Sequence, residues 1–192
     1  AVRRIFSERF GAERLRSVEL APFSDAISGA SGRDMAARLG MIMTAHVVYP
    51  AIDRRPATLS RRWLTEILRG ELGFSGVILS DDLDMKALHA EDLAEAGLTL
   101  RDEGDVVVES LLAGCDAFLL CRDPDRQVRA EEALRRAAHD RPEVRARLIE
   151  SVQRLRRFRA TLSWPCPDRV ALGRLPHAQH QALRERLLLS LH

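Results

Sequence analysis

Lysine is almost missing from this chain. Of 30 basic residues only Lys86 is lysine and 29 are arginine, a skew that points to a GC-rich coding genome rather than to a function. An excess of one charge sign is missing too. The 30 bases face 28 acids, for a formal net charge of +2, which argues against a nucleic-acid binder, whose bases should greatly outnumber its acids. Cysteine is scarce and odd in number. Cys115, Cys121 and Cys166 fit a reducing compartment, hence a cytoplasmic location, better than a disulfide framework. None has a CxxC partner, so no zinc site is expected. No apolar run approaches the ~20 residues needed to span a bilayer, so no membrane partner is expected. Residues 1–10 have no apolar stretch of the signal-peptide kind. They begin with Ala rather than Met, so a fragment or a trimmed product is expected.

What is present suits one domain. The chain has 192 residues, of which 46% are hydrophobic, enough for a sizeable core. Three short apolar runs read as strands buried on both faces: Leu39 to His46, Gly76 to Ser80 and Asp116 to Cys121. Helical patterns separate them. One starts at Ser60, a good N-cap, and runs to about Leu72. Its stripe is Leu64, Ile67, Leu68 and Leu72, and Gly73 stops it. Others cover about Glu103 to Ala113, Asp125 to Ala138 and Pro142 to Thr161. The last should bury Val144, Leu148, Val152 and Leu155. A proline-containing loop from Val47 to Leu59 follows the first strand. Alternating strands and helices imply a parallel sheet. A complete (β/α)8 barrel takes ~250 residues and eight strands, so about three strands make an open sheet or a piece of a barrel.

The densest chemistry is Ser80-Asp81-Asp82-Leu83-Asp84-Met85, placed where a strand gives way to a loop. Active sites of parallel α/β folds are built at that edge. A carboxylate there can act as nucleophile, base or metal ligand. A solvated turn explains the acids equally well, and Mg²⁺ binding by the DDxD pattern lacks an accompanying phosphate loop. His46 ends the preceding strand; taken alone it reads as a satisfied structural histidine. The arginines between Arg145 and Arg159 read as a solvated helix face rather than an anion site.

Several runs carry a resemblance. They are Met43-Thr-Ala-His-Val-Val-Tyr-Pro50 with Pro56-Ala-Thr-Leu-Ser60, and Leu68-Arg-Gly-Glu-Leu-Gly-Phe-Ser-Gly-Val-Ile-Leu-Ser-Asp-Asp-Leu-Asp-Met85. With Ala113-Gly-Cys-Asp116 they resemble family 3 glycoside hydrolases, in the bacterial β-N-acetylhexosaminidase branch. The match covers roughly Glu19 to Cys121. It implies an α/β fold, the C-terminal part of a TIM-type (β/α)8 barrel, with the three strands as barrel strands 6–8. Residues 1–162 would be the partial barrel and 163–192 a linker and C-terminal helix. It implies Asp81 as catalytic nucleophile of a retaining hydrolysis of terminal β-N-acetylglucosaminides in cell-wall recycling. His46, Asp82 and Met85 would line the pocket or stand just behind it. The implied partner is an N-acetylglucosamine-containing glycan, with no cofactor and no metal.

The family also carries a Lys-His-Phe-Pro-Gly-His-Gly segment, then an Asp-Ser-His element, which supply its histidine acid/base. No HxxGH pattern occurs in these 192 residues. The chain alone is therefore expected to be inactive or nearly so. Its first strand would present an open edge, covered by residues 1–10, by a partner fragment or by self-association. Other readings are a non-catalytic half-barrel kept as a binding or assembly unit, a β-glucosidase, or an Mg²⁺-dependent enzyme.

Overall fold

The computed structural model describes residues 11–29, 39–85, 88, 93–94, 97–100 and 102–162. The first ten residues, Lys86, His89, Cys166 and the last thirty residues lie outside that set. The chain separates into two compact units, 1–160 and 161–192.

Three strands form one parallel sheet in the order β1-β4-β5: β1 (Met41–Met43), β4 (Val77–Asp82) and β5 (Ala117–Leu119). Each is joined to the next through helices, as the alternating pattern requires. The central strand is the most deeply covered, with Val77, Ile78 and Ser80 fully buried. The outer two are less so. Met43 is 58% exposed, so the expectation that all three strands are buried on both faces holds only for β4. A central strand has neighbours on both edges and helices above and below; among the described residues β1 has a strand on one edge alone. An apolar groove of about 270 Å³ lies beside it, lined in part by Leu20, Phe23, Met43 and Trp63.

The segment expected to be a plain loop after β1 is instead a small antiparallel ribbon. It consists of β2 (Val48–Tyr49) and β3 (Asp53–Pro56), paired Val48 to Pro56 and Tyr49 to Asp53. The turn between them closes with a bond from the Ile52 amide to the Tyr49 carbonyl at 2.8 Å. Pro56 ends the ribbon, where its missing N–H costs no ladder bond.

Helix α2 (Arg62–Glu71) starts as expected: the Trp63 amide donates to Ser60 Oγ at 3.1 Å. It is wound wide, and its last turn closes from the Leu72 amide to the Ile67 carbonyl at 2.9 Å. Gly73 follows at φ 72°, in the left-handed region that glycine adopts freely. Trp63, Leu64 and Ile67 are buried, while Leu68 and Leu72 are only half-buried. Helix α3 (Glu103–Ala113) has Asp102 as N-cap, accepting from the Asp105 amide at 2.9 Å, and stops at Gly114 with φ 137°. Helices α4 (Pro124–Asp140) and α5 (Pro142–Thr161) follow. In α5 Val144 is buried and Leu148 and Leu155 are half-buried, as the expected stripe requires, but Val152 is exposed and Ser151 is buried beside it. Helix α1 (Ala21–Ser28) precedes the sheet. Phe118 of β5 packs against all three clusters of buried apolar side chains.

Candidate active site

The acidic run stands at the C-terminal end of β4, and the sheet is irregular there. Leu79 pairs with Ala117 and Asp82 with Leu119, so three steps along β4 match two along β5. Ser80 and Asp81 fall inside this irregularity. Ser80 Oγ accepts the Leu119 amide at 3.0 Å, and the Leu83 amide reaches the Leu119 carbonyl at 2.9 Å. Such an extra residue bends a strand and re-aims the side chains next to it.

The three carboxylates differ in what they hold. Asp82 Oδ1 accepts the amides of Asp84 at 3.1 Å and Cys121 at 3.2 Å. Asp84 Oδ2 accepts the Arg122 amide at 3.2 Å, and its Oδ1 lies 3.1 Å from Arg126 Nε. Both therefore knit the loop after β5 to the end of β4. Asp81 accepts the Asp82 amide on Oδ1 at 2.8 Å. Among the described residues its Oδ2 carries no hydrogen bond. Asp81 is half-buried and Met85 is exposed at the rim.

His46 is buried, 5% exposed, after the end of β1. Its Nδ1 meets Thr58 Oγ1 at 2.8 Å and its Nε2 meets the Asp82 carbonyl at 3.0 Å. Thr58 also meets Thr44 Oγ1 at 2.8 Å, and Thr44 takes the Asp81 amide at 3.3 Å. The structure thus brings His46, Asp81 and Asp82 together through two threonines that the sequence reading did not single out. Their signal lay in the quoted runs, as the Thr of Met43-Thr-Ala-His46 and of Pro56-Ala-Thr-Leu59.

At the opposite end of β4 stands another charged group. The Asp116 carboxylate, fully buried, accepts the Ile78 amide at 2.9 Å. It also pairs with Arg69 at 2.6 Å, Arg147 at 2.8 Å and Arg154 at 3.3 Å. Arg147 and Arg154 belong to the stretch expected to be solvated. They turn inward because a buried carboxylate must be paired. Cys115, beside it, has its thiol pushed up to about 12, first by burial and then by Asp116. Cys121, exposed at the upper rim, is also raised, first by desolvation and then by the Asp82 carboxylate. Among the described residues no group of three His, Cys, Asp or Glu side chains is placed to hold a metal ion. No helix among them is long and apolar enough to cross a membrane.

Residues 7–158 match the pattern of the glycosyl hydrolase family 3 N terminal domain. The chain belongs to glycosyl hydrolase family 3. It is 41% identical over 124 residues to a beta-hexosaminidase of Pseudomonas aeruginosa, covering 65% of this chain and 32% of that protein. To the beta-hexosaminidase of Bordetella avium it is 37% identical over 145 residues, 73% of this chain and 35% of the relative. Among solved structures it resembles the family 3 beta-N-acetylglucosaminidase of Paenibacillus sp. str. FPU-7, with a TM-score of 0.66 and 31% identity. That match covers 83% of this chain and 29% of the other. The beta-N-acetylglucosaminidase of Thermotoga maritima gives a TM-score of 0.64 at 27% identity, over 80% of this chain and 31% of the other. The chain spans about a third of the length of the relatives it matches.

Proposed function

We propose that these residues are the nucleophile-bearing part of a retaining β-N-acetylhexosaminidase that acts in the cytoplasm on glycans from cell-wall recycling. Strands β1, β4 and β5 are read as barrel strands 6–8, within a barrel part of 1–162 followed by a linker and helix in 163–192. One observation supports the reading most. Of the three clustered carboxylates, Asp82 and Asp84 accept amides of the loop after β5, while half-buried Asp81 accepts only the amide of its neighbour Asp82 among the described residues.

On this reading Asp81 attacks the anomeric carbon of a terminal N-acetylglucosamine and forms a covalent glycosyl-enzyme. Water then hydrolyses that ester with net retention. Asp82 holds the loop after β5, His46 holds the backbone beneath, and Met85 borders the pocket. The leaving group needs a proton donor, whose assistance typically contributes ~10²–10⁴-fold. No HxxGH pattern of the kind that would supply it occurs in these residues, so the 192 residues alone are expected to turn over little or nothing.

The test is hydrolysis of a chromogenic β-N-acetylglucosaminide by the chain, alone and mixed with the remaining two-thirds of a relative supplied as a separate chain. Activity only in the mixture, lost with Asp81→Asn, is the expected result. Equal activity of the Asp81→Asn mixture would remove Asp81 from the nucleophile's role. Glycan binding without turnover in every mixture would favour the non-catalytic reading instead.

A further inference from the structure

Four hydrogen bonds run in sequence from one backbone group of the acidic loop to another. The Asp81 amide meets Thr44 Oγ1 at 3.3 Å, Thr44 meets Thr58 at 2.8 Å, Thr58 meets His46 Nδ1 at 2.8 Å, and His46 Nε2 meets the Asp82 carbonyl at 3.0 Å. With a neutral imidazole, the carbonyl end fixes the direction of the bonds back to Thr44, and the amide end is compatible with it. A peptide N–H can only donate and a carbonyl can only accept. His46 Nε2 must therefore carry the hydrogen. In a neutral imidazole Nδ1 then accepts, so the Thr58 hydroxyl donates to it. The Thr44 hydroxyl donates to Thr58 in turn, and the lone pair it retains receives the Asp81 amide. Each hydroxyl gives one bond and takes one.

All three side chains are buried, Thr58 completely. Water cannot easily replace a lost member, so the relay stands or falls together. Threonine suits the task because its branched β-carbon has few rotamers, which aims the hydroxyl. The Asp81 amide and the Asp82 carbonyl also flank Asp81 along the chain, in the irregular part of β4 where ladder bonds do not hold it.

We propose that Thr58 is a positioning residue for the reaction: through His46 on one side and Thr44 on the other, it fixes the backbone around Asp81 and so the aim of its carboxylate. The inference rests on the reading of Asp81 as nucleophile, but the relay can be measured without turnover.

The experiment is long-range ¹H–¹⁵N correlation of the full chain labelled with ¹⁵N-histidine, with His46 assigned by its loss in His46→Gln. The wild type is expected to show His46 as a single neutral form with hydrogen on Nε2. Thr58→Val, which keeps the shape and removes the hydroxyl, is expected to give a mixture of tautomers and to speed exchange of the Asp81 amide roughly tenfold. Thr58→Ser should restore both. Hydrogen on Nδ1 in the wild type, or a Thr58→Val spectrum and exchange rate like the wild type's, overturns the proposal. If Thr58→Val does not fold, the wild-type tautomer and its retention in Thr58→Ser decide alone. Failure of the Asp81→Asn assay bears only on the nucleophile and leaves the tautomer result standing.

Discussion

Asp116 Oδ2 lies 2.6 Å from Arg69 Nη2, at the end of β4 remote from Asp81. Burial holds the Arg69 guanidinium below its ordinary range, and Arg154 and Arg147 push the same way while Asp116 opposes them. Removing this buried anion would take from Arg69 and Arg147 the carboxylate they share, while among the described residues Arg154 would keep only Glu150, at 3.4 Å. Asp116→Asn should therefore cost about 3–5 kcal/mol, the range found when one partner of a buried pair is lost. Urea unfolding of the wild type and variant measures this, and a midpoint shift worth less than ~1 kcal/mol would show the cluster to be dispensable.

The two described cysteines should report their surroundings to an alkylating reagent. The thiolate is the reactive form. Cys115, buried and pushed up to about 12, should stay unmodified until the chain unfolds. Cys121, exposed but raised by desolvation and then by Asp82, should react more slowly than free cysteine. Asp82→Asn removes that neighbouring charge and should speed labelling of Cys121 while leaving Cys115 unchanged. Peptide mapping after timed iodoacetamide treatment checks both, and an unaltered Cys121 rate in Asp82→Asn would contradict the assignment.

Acid should weaken the ion-pair link between α3 and α4. Burial pushes the Glu103 carboxyl upward, but the Arg129 hydrogen bond, its own backbone N–H and the charges of Arg129 and Arg126 bring it below the ordinary 4.5. A lowered carboxyl contributes stability that is present above its unfolded value and lost as pH falls through its folded one. Glu103→Gln should thus be less stable than the wild type near neutral pH and converge on it in acid. Urea midpoints taken from about pH 6 to about pH 3 test this; parallel curves would exclude the linkage.

Among the described residues β1 has a strand on one edge alone, which predicts association. An exposed strand edge beside an apolar groove is a template for pairing with another chain. The chain alone should sediment as dimers or larger species, and addition of the complementary part of a relative should dissolve them. A concentration-independent monomer would mean that the edge is already covered.

Much of the architecture was legible because it depends on local pattern. The parallel sheet followed from the apolar runs, and α3 was read at its observed bounds, about Glu103 to Ala113. Ser60 and Gly73 marked both ends of α2. Three features were not legible, each for a physical reason. The wide winding of α2 was not legible, because the backbone bonds that close its turns, such as Leu72 to Ile67, leave no mark in the apolar pattern. Arg147 and Arg154 face inward because of Asp116, more than thirty residues earlier in the chain. The β2–β3 ribbon hides behind two prolines. At the site, the carboxylates and His46 were visible as residue types. The difference in commitment between Asp81 and its neighbours was not, since it depends on amides from the loop after β5.

The amides of Asp81, Asp82 and Asp84 are held by side chains: Thr44, Asp81 and Asp82 respectively. Ordinary strands are shaped by backbone pairing, which is indifferent to sequence. Here the shape of the loop is encoded in a handful of replaceable oxygens. Such a scaffold can be retooled by point substitution at its rim while the Asp116 clasp at the far end keeps the strands in place, so that altering what the site does and keeping the chain folded become separate problems.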